Sequence, residues 1–258
     1  MISDFLEKSS DLNLRQSKIE SDRFGISVAR LSIPLDSEAS DFDLARLCAS
    51  SDSKLLIVRY STLRIKLSEL LSSIKGRSAV HADTLVYFSR DISNLGIENS
   101  QNSAWNFEIA TLSDEVSLEK LAREGFRDYP SHYSSNSLLS AAQIHEGYVE
   151  WALSGVRNED NLTVLVKLKT GETVGFALAV VAGNQSEFVL SCVSPRFEGQ
   201  GIYSAIVFWL VENLPKFGGE RIYVSTQIQN TRVIRAWIKA GFSLDFSLNT
   251  YHLIAREN

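Results

Sequence analysis

The stretch that most limits how this chain can fold is VSPRFEGQGIY, residues 193–203. A β-rich run, EFVLSCV, ends in it, and an apolar run, GIYSAIVFWLVENL, begins in it. A helix apolar almost all round must be buried. The first amides of such a helix have no intrahelical acceptor and carry a partial positive charge. Gly199 and Gly201 let the backbone approach a ligand closely. The amides of residues 198–203 are therefore the predicted seat of an anion such as a diphosphate, held without a lysine. Taken alone, a glycine turn before a helix is more often a plain connection, so the surrounding order of elements has to decide.

Composition removes several alternatives. The chain has 258 residues, 44% hydrophobic and 22% charged, with a net charge of −5. That is globular composition, and its length admits one large domain or two small ones. There is no dense Lys/Arg run, which argues against nucleic acid, and no apolar run of the roughly 18 residues a membrane span needs. The opening MISDFLEKSS lacks the apolar core of a secretory signal. Cys48 and Cys192 are far apart and read as buried thiols of a reducing, cytoplasmic setting. His81, His132, His145 and His252 are scattered without metal-ligand spacing, so no metal is expected.

The polar stretch NLGIENSQNSAW (94–105) reads as a linker. It divides the chain into an N-terminal α/β domain, 1–104, and a second domain, 105–258. In the first, ISVARLSI, KLLIVRYS and DTLVYFS read as strands. DFDLARLCAS and LRIKLSELLSSI read as helices, the latter with Leu63, Leu67, Leu70, Leu71 and Ile74 on one face. No glycine-rich loop interrupts them. In the second, NFEIATL is a strand, SDEVSLEKLAREGF a helix capped by Ser113, and SLLSAAQIHEGYVEWALSG another helix. Two strands follow, joined at Lys169-Thr170-Gly171-Glu172. Phe188, Leu190 and Cys192 share one face of EFVLSCV, and Val189, Ser191 and Val193 the other. ERIYVST is a strand. NTRVIRAWIKAGF is a helix with Asn230 as N-cap, Gly241 as stop, and Val233, Ile234, Trp237 and Ile238 as its apolar stripe. SLDFS and TYHLIA read as two short closing strands. SSIKGRSAVHADTLVYF and AWIKAGFSLDFSLNTYHLI echo each other, which either coincidence or a duplicated half-domain explains.

This order, with VSPRFEGQGI and NTRVIRAWIKAGF, resembles the GCN5-related N-acetyltransferase (GNAT) superfamily over about residues 105–256. Two registers of the family loop, Gln/Arg-x-x-Gly-x-Gly/Ala, fit. RFEGQG matches literally. EGQGIY, counted from Pro195, puts Glu198 and Tyr203 in the first and last slots, and is the register Pro195 and the helix start favour. More loosely, the whole chain resembles the TDP-fucosamine N-acetyltransferase group, through IESDRFGISVARL, GFRDYPSHYSSN…GYVEWAL and VSTQIQNTRVIRAWIKAG.

The resemblance implies an α/β (α+β) fold with a central mixed sheet that splays after EFVLSCV. The N-terminal domain would then be a smaller α/β unit, a degenerate half of the same fold if the echo is a duplication. Acetyl-CoA would be the co-substrate, bound by Val193, Glu198, Gly199, Gln200, Gly201, Ile202, Tyr203, Asn230 and Trp237. The Val193 amide would face the thioester oxygen. Trp237 stands where many members have a tyrosine that protonates the leaving thiolate; an indole is no acid, so Tyr203 becomes the candidate and Tyr251 the next. Arg127, His132, Tyr133, Asn136, Tyr148 and Trp151 are the expected acceptor residues. Each also has a structural explanation: a surface turn for His132, core packing for Tyr148 and Trp151. The acceptor is expected to be the amine of a nucleotide-linked (TDP-type) amino-deoxy sugar. Another small amine, a peptide N-terminus, or a non-catalytic CoA sensor are the alternatives, and a homodimer is left open.

Overall fold

The computed structural model describes residues 2–6, 12–93, 105–158 and 160–256. Residues 94–104, most of the expected linker, lie outside the described residues. In chain order the elements are α1 (Ser3–Leu6), β1 (Arg15–Gln16), α2 (Lys18–Phe24), β2 (Val28–Ser32), α3 (Asp41–Ala49), β3 (Leu55–Ser61), α4 (Ile65–Ser72), β4 (Arg77–Asp91) and β5 (Trp105–Ile109). They continue with α5 (Glu115–Gly125), α6 (Ala141–Arg157), β6 (Asn161–Leu168), β7 (Thr173–Ala182), β8 (Gln185–Val193), α7 (Ile202–Asn213), β9 (Arg221–Gln227), α8 (Thr231–Lys239) and β10 (Ser243–Ala255).

The chain forms two compact units that do not follow the sequence boundary at 104. The first comprises Met1–Val86, Pro130–Ile144 and Phe246–Asn258; the second comprises Tyr87–Tyr129 and His145–Asp245.

In the first unit the strands run in the order β1-β2-β3-β10-β4. β2 and β3 are parallel, joined through α3, and β10 pairs antiparallel with β3 from Leu248↔Ser61 to Ile254↔Leu55. Ser40 caps α3 by accepting from the Asp43 amide. Leu44 and Cys48 of α3 and Leu67 and Leu71 of α4 pack with Leu31, Leu56, Val58 and Leu253 of the strands. Each such leucine is worth about 1.5–3 kcal/mol of burial. Leu63, by contrast, is 87% exposed. It precedes the α4 N-cap at Arg64, so the apolar periodicity started two residues before the helix does.

The second unit has the order β4-β9-β8-β7-β6-β5. β5 to β8 are antiparallel neighbours, and β8 and β9 are parallel. The hairpin at 169–172 forms as expected, with Gly171 at φ 89° and Leu168 N–H donating to Glu172 O at 2.9 Å. Before α5, the cap is not Ser113. Thr111 and Asp114 form a capping box around a single 3-10 turn, because Leu112–Asp114 winds ahead of the helix. Asn230 caps α8, accepting from Val233 N–H. Trp237 of its stripe is buried, but Ile238 faces solvent at 57%.

One expectation fails outright. SLDFS and TYHLIA are not two strands but one, β10, thirteen residues long. Leu248 and Asn249, the gap between the two expected strands, lie in ladder positions opposite Ser61 and Tyr60, and pairing overrides the turn propensity of Asn249.

Candidate active site

The site begins with a fault in a strand. Leu178 pairs with Leu190, but the next pair is Ala179 with Phe188, which leaves Val189 as an extra residue in β8. A bulge bends its strand and increases the local twist. β8 pairs with β9 only from Gln185↔Arg221 to Phe188↔Val224. Beyond the bulge the two strands part, which is the splay the resemblance implied. The opening is a cleft of about 470 Å³ in the second unit. Val189–Val193 forms one wall, Ser225 and Thr226 the other, and the loop and first turn of α7 close one end.

Along the open edge of β8 the main chain is exposed to the cleft. Ser194 N–H donates to Val174 O at 2.9 Å, toward β7. Amides alternate in direction along a strand, so the Val193 and Ser191 N–H groups point away from β7, into the opening.

The loop is shaped by two left-handed glycines, Gly199 at φ 78° and Gly201 at φ 87°. Gly201 is the N-cap of α7. A Cβ at Gly199 would meet nothing within 4 Å, and one at Gly201 only Trp105 Cη2 at 4.0 Å. The glycines thus satisfy backbone dihedrals, and the space beside them is open. Gly125, at the end of α5, is different: a Cβ there would overlap Cys192 Sγ. Burial pushes the Cys192 thiol up to about 12, so it stays a thiol and fills the approach of α5 to β8.

Of the residues singled out in the sequence, Val193, Glu198, Gly199, Gly201, Ile202, Tyr203, Asn230 and Trp237 line this cleft. Gln200 belongs to the same loop but is not in the lining. Trp237 Nε1–H donates to Tyr203 Oη at 2.9 Å. Glu198 accepts from Arg232 at 3.0 Å, on the first turn of α8. Arg232 was not foreseen, nor were Phe126 and Tyr129, which also line the cleft. Tyr129 donates to Gln227 at 3.1 Å. GFRDYP is polar in half its positions and gave no period from which its wall-forming aromatics could be read.

The expected acceptor residues fall into two groups. Arg127 is exposed, and Tyr148 and Trp151 sit on α6 outside the lining. Tyr148 packs on Phe126 and Tyr129, ring centroids 5.2 Å apart in each case, so it buttresses the cleft wall. His132, Tyr133 and Asn136 belong to the first unit, where they form a buried polar network. Tyr133 donates to Glu20 at 2.5 Å, and Arg30 clasps Glu20 at 2.5 and 2.6 Å. Burial alone would raise the Glu20 carboxyl, but Arg30 and Tyr133 together hold it down at about 2. His132 Nδ1 lies 2.9 Å from His252 Nε2, and Asn136 Nδ2 lies 3.2 Å from His252 Nδ1. An amide NH₂ only donates, so His252 carries its proton on Nε2 and donates to His132.

Among the described residues there is no cluster of three or more metal-ligating side chains, and no helix is long and apolar enough to cross a membrane.

The family model described as Acetyltransferase (GNAT) family matches residues 119–242. That stretch, just under half of the chain, holds the bulged strand, the loop, α7, β9 and α8, and it matches a GNAT acetyltransferase domain. The family uses acetyl-CoA as co-substrate. A curated relative, the spore coat polysaccharide biosynthesis protein SpsD of Bacillus subtilis (strain 168), is 26% identical over 140 residues. The match spans 54% of this chain and about half, 47%, of that protein. The GCN5-related N-acetyltransferase of Kribbella flavida shares the fold at TM-score 0.58 and 13% identity, over 90% of this chain and 82% of that one. A tandem GNAT protein of the clavulanic acid biosynthesis pathway does so at TM-score 0.55 and 10% identity, over 90% and 78%.

The Glu198–Arg232 pair carries an expected result of its own. A carboxylate beside an anion seat repels the anion and occupies the nearest guanidinium. Glu198→Gln should therefore tighten coenzyme A binding about threefold at low salt, with the gain shrinking as salt screens the charges. Calorimetric titration at two ionic strengths reads this directly. Weaker binding would mean that Glu198 itself holds the ligand.

Proposed function

We propose that this chain transfers the acetyl group of acetyl-CoA to the amine of a nucleotide-linked amino-deoxy sugar, by direct attack of the amine on the thioester. The observation that carries the transferase half is the pair of main-chain features in one cleft: inward amides on β8 and the glycine-shaped start of α7. The pantetheine arm of acetyl-CoA can hydrogen-bond along the open β8 edge, and its diphosphate suits the amides of residues 198–203. Asn230 and the Tyr203–Trp237 pair would flank the arm. The Val193 amide would donate to the thioester oxygen as charge develops on it. In other acyl transfers one such donor is worth about 10²–10³ in rate.

The likeness to SpsD supports the sugar half of the reading, since that protein's name places it in polysaccharide biosynthesis. Arg127, Trp151 and Tyr148 of the second unit, and His132, Tyr133 and Asn136 of the first, remain the acceptor-side residues to test. A cytoplasmic location fits an enzyme fed by acetyl-CoA and a nucleotide sugar.

The test is release of free thiol from acetyl-CoA against a panel of amines. TDP-linked 4-amino-4,6-dideoxy sugars should turn over fastest, ahead of small amines and peptide N-termini. Calorimetry should give one coenzyme molecule per chain, because the loop geometry occurs in the second unit and the described residues of the first offer no strand-to-helix glycine loop. Turnover on peptides alone would replace the sugar reading. Tight binding of acetyl-CoA with no turnover on any amine would favour a sensor.

A further inference from the structure

The first unit carries a polar centre of its own, on the face of its sheet opposite the leucine core. Leu56, Val58 and Tyr60 of β3 point into that core, so Ile57 and Arg59 share the other face. Register sets their neighbours. Arg59 lies between Ser32 of β2 and Thr250 of β10, and Ile57 lies between Arg30 and His252. Two arginines thus share this face, and they differ in their partners. Arg30 is clasped by Glu20, which also accepts from Tyr133. Arg59, half-buried, forms one bond, from Nε to Thr250 Oγ1 at 3.2 Å, and no ion pair among the described residues. A guanidinium has five N–H donors, so the four on the Nη atoms of Arg59 are unused.

The histidines on this face are set in one tautomer by a chain of bonds that starts at the main chain. Leu138 N–H donates to Asn136 Oδ1 at 3.1 Å, which turns the amide nitrogen toward His252. Asn136 Nδ2 donates to His252 Nδ1, and His252 Nε2–H donates to His132 Nδ1. Burial first, and then the charge of Arg59, hold His132 well below its ordinary range. The ring is therefore neutral, and its one proton is on Nε2. No described residue accepts from that N–H. Arg59 acts on the His132 ring more strongly than Arg30 does, so the unused guanidinium donors and the unused imidazole N–H belong to one neighbourhood.

Resting on the nucleotide-sugar reading above, we propose that Arg59 and the His132 Nε2–H group of the first unit hold the diphosphate of the acceptor nucleotide. A phosphate offers two oxygens to the planar fork of a guanidinium and a third to the imidazole. Both protein groups donate and neither accepts, so an anion is favoured here and an ammonium is repelled. The sugar amine therefore does not bind at this end. His132 is not the base that takes the amine proton either, because Nδ1 is occupied and Nε2 is already protonated. Asn136 and His252 are positioning residues: they fix which nitrogen of His132 carries the proton.

Calorimetric titration of the full chain with TDP, in saturating coenzyme A, tests this without turnover. Arg59→Gln should weaken TDP binding about 10–100-fold, the range of hydrogen bonds to a charged group. Arg59→Lys keeps the charge but not the fork, and should fall between the parent and Arg59→Gln. Coenzyme A itself should bind parent and variants alike. Stability separates a ligand site from a structural role. Removing an unpaired charge should hold or raise the urea midpoint of the ligand-free protein, and TDP should raise the midpoint of the parent more than that of Arg59→Gln. In long-range proton–nitrogen spectra His132 should carry its proton on Nε2, and exchange of that proton with water should slow when TDP is added. Equal TDP affinity in parent and Arg59→Gln overturns the proposal and leaves the nucleotide-sugar reading standing. A His132 ring protonated on Nδ1 also overturns it. So does a loss of coenzyme A affinity in Arg59→Gln, which would assign the anion to the coenzyme. Pyrophosphate bound as tightly as TDP would replace the nucleotide with a free anion. Should Arg59→Gln fail to fold, Arg59→Lys still decides, since unchanged TDP affinity there removes the fork. A parent chain that binds coenzyme A but not TDP overturns the nucleotide-sugar reading itself, and this site with it.

Discussion

Gly201→Val should raise the acetyl-CoA dissociation constant well over tenfold, while Gly76→Val leaves it unchanged. The two glycines form a matched pair. Gly201 has φ 87° and Gly76 φ 77°, and neither would crowd a Cβ against protein closer than 4.0 Å. A left-handed conformation costs a residue with a side chain roughly 1–2 kcal/mol, more for a β-branched one. Both variants carry that strain and both should lose stability by similar amounts. They differ in where the strain is relieved. At Gly201 the chain relaxes by rotating the amides that open α7, and the valine side chain occupies the space in front of them. A tenfold loss corresponds to about 1.4 kcal/mol, within reach of the strain alone. Titration calorimetry on both variants, with thermal unfolding to match their stabilities, gives the comparison. Equal affinities in the two variants would remove the anion seat from residues 198–203.

Acid should loosen the first unit before Glu20 titrates. Burial, with Arg30 and Arg59 nearby, holds His252 down to about 4 and His132 well below its ordinary 6.5. Glu20, which raises His252, Asn136, bonded to His252, and Tyr133, its ring tilted against His132 with centroids 3.9 Å apart, also face the pair. A histidine whose folded pKa lies below its unfolded one binds its proton more readily when unfolded. Stability is therefore full above about pH 6.5, falls as the pH drops toward 4, and levels off below. At about 1.4 kcal/mol per unit, His252 alone contributes on the order of 3 kcal/mol to that loss. Glu20, at about 2 in the fold, adds its share only below about 4.5. Urea unfolding between pH 6.5 and 4.5, with hydrogen exchange on the β3 and β10 amides, isolates the histidine contribution. A flat midpoint across that window would show that the pair is charged or solvated in the folded protein.

The cleft was legible in the sequence because its signals are local. An apolar helix after a glycine loop, and the asparagine that ends VSTQIQN and caps α8, each state their geometry within a dozen residues. What escaped the reading depends on partners far away. His132 and Asn136 find His252, 120 and 116 residues on, and nothing in GFRDYPSHYSSN announces that. Residues 130–144 join the first unit for the same reason. β10 was split in two because Leu248-Asn249 resembles a turn until β3 is placed beside it. Arg232 escaped because an exposed arginine at a helix start is unremarkable until Glu198 lies opposite it.

The course of β10 has a consequence for how the protein is made. Phe246–Ala255 lies between β3 and β4 in the sheet of the first unit. During synthesis, therefore, β3 and β4 wait on the ribosome with their shared neighbour still untranslated, until residue 255 has emerged. The unit that begins first is completed last, and its open strand edges are exposed for the time it takes to add more than 150 residues. Unpaired edges of that kind are where nascent chains aggregate. The first unit is the part for which a holdase chaperone would make the difference between soluble and insoluble expression, and a ribosome stalled short of residue 246 would present it as an unfinished sheet.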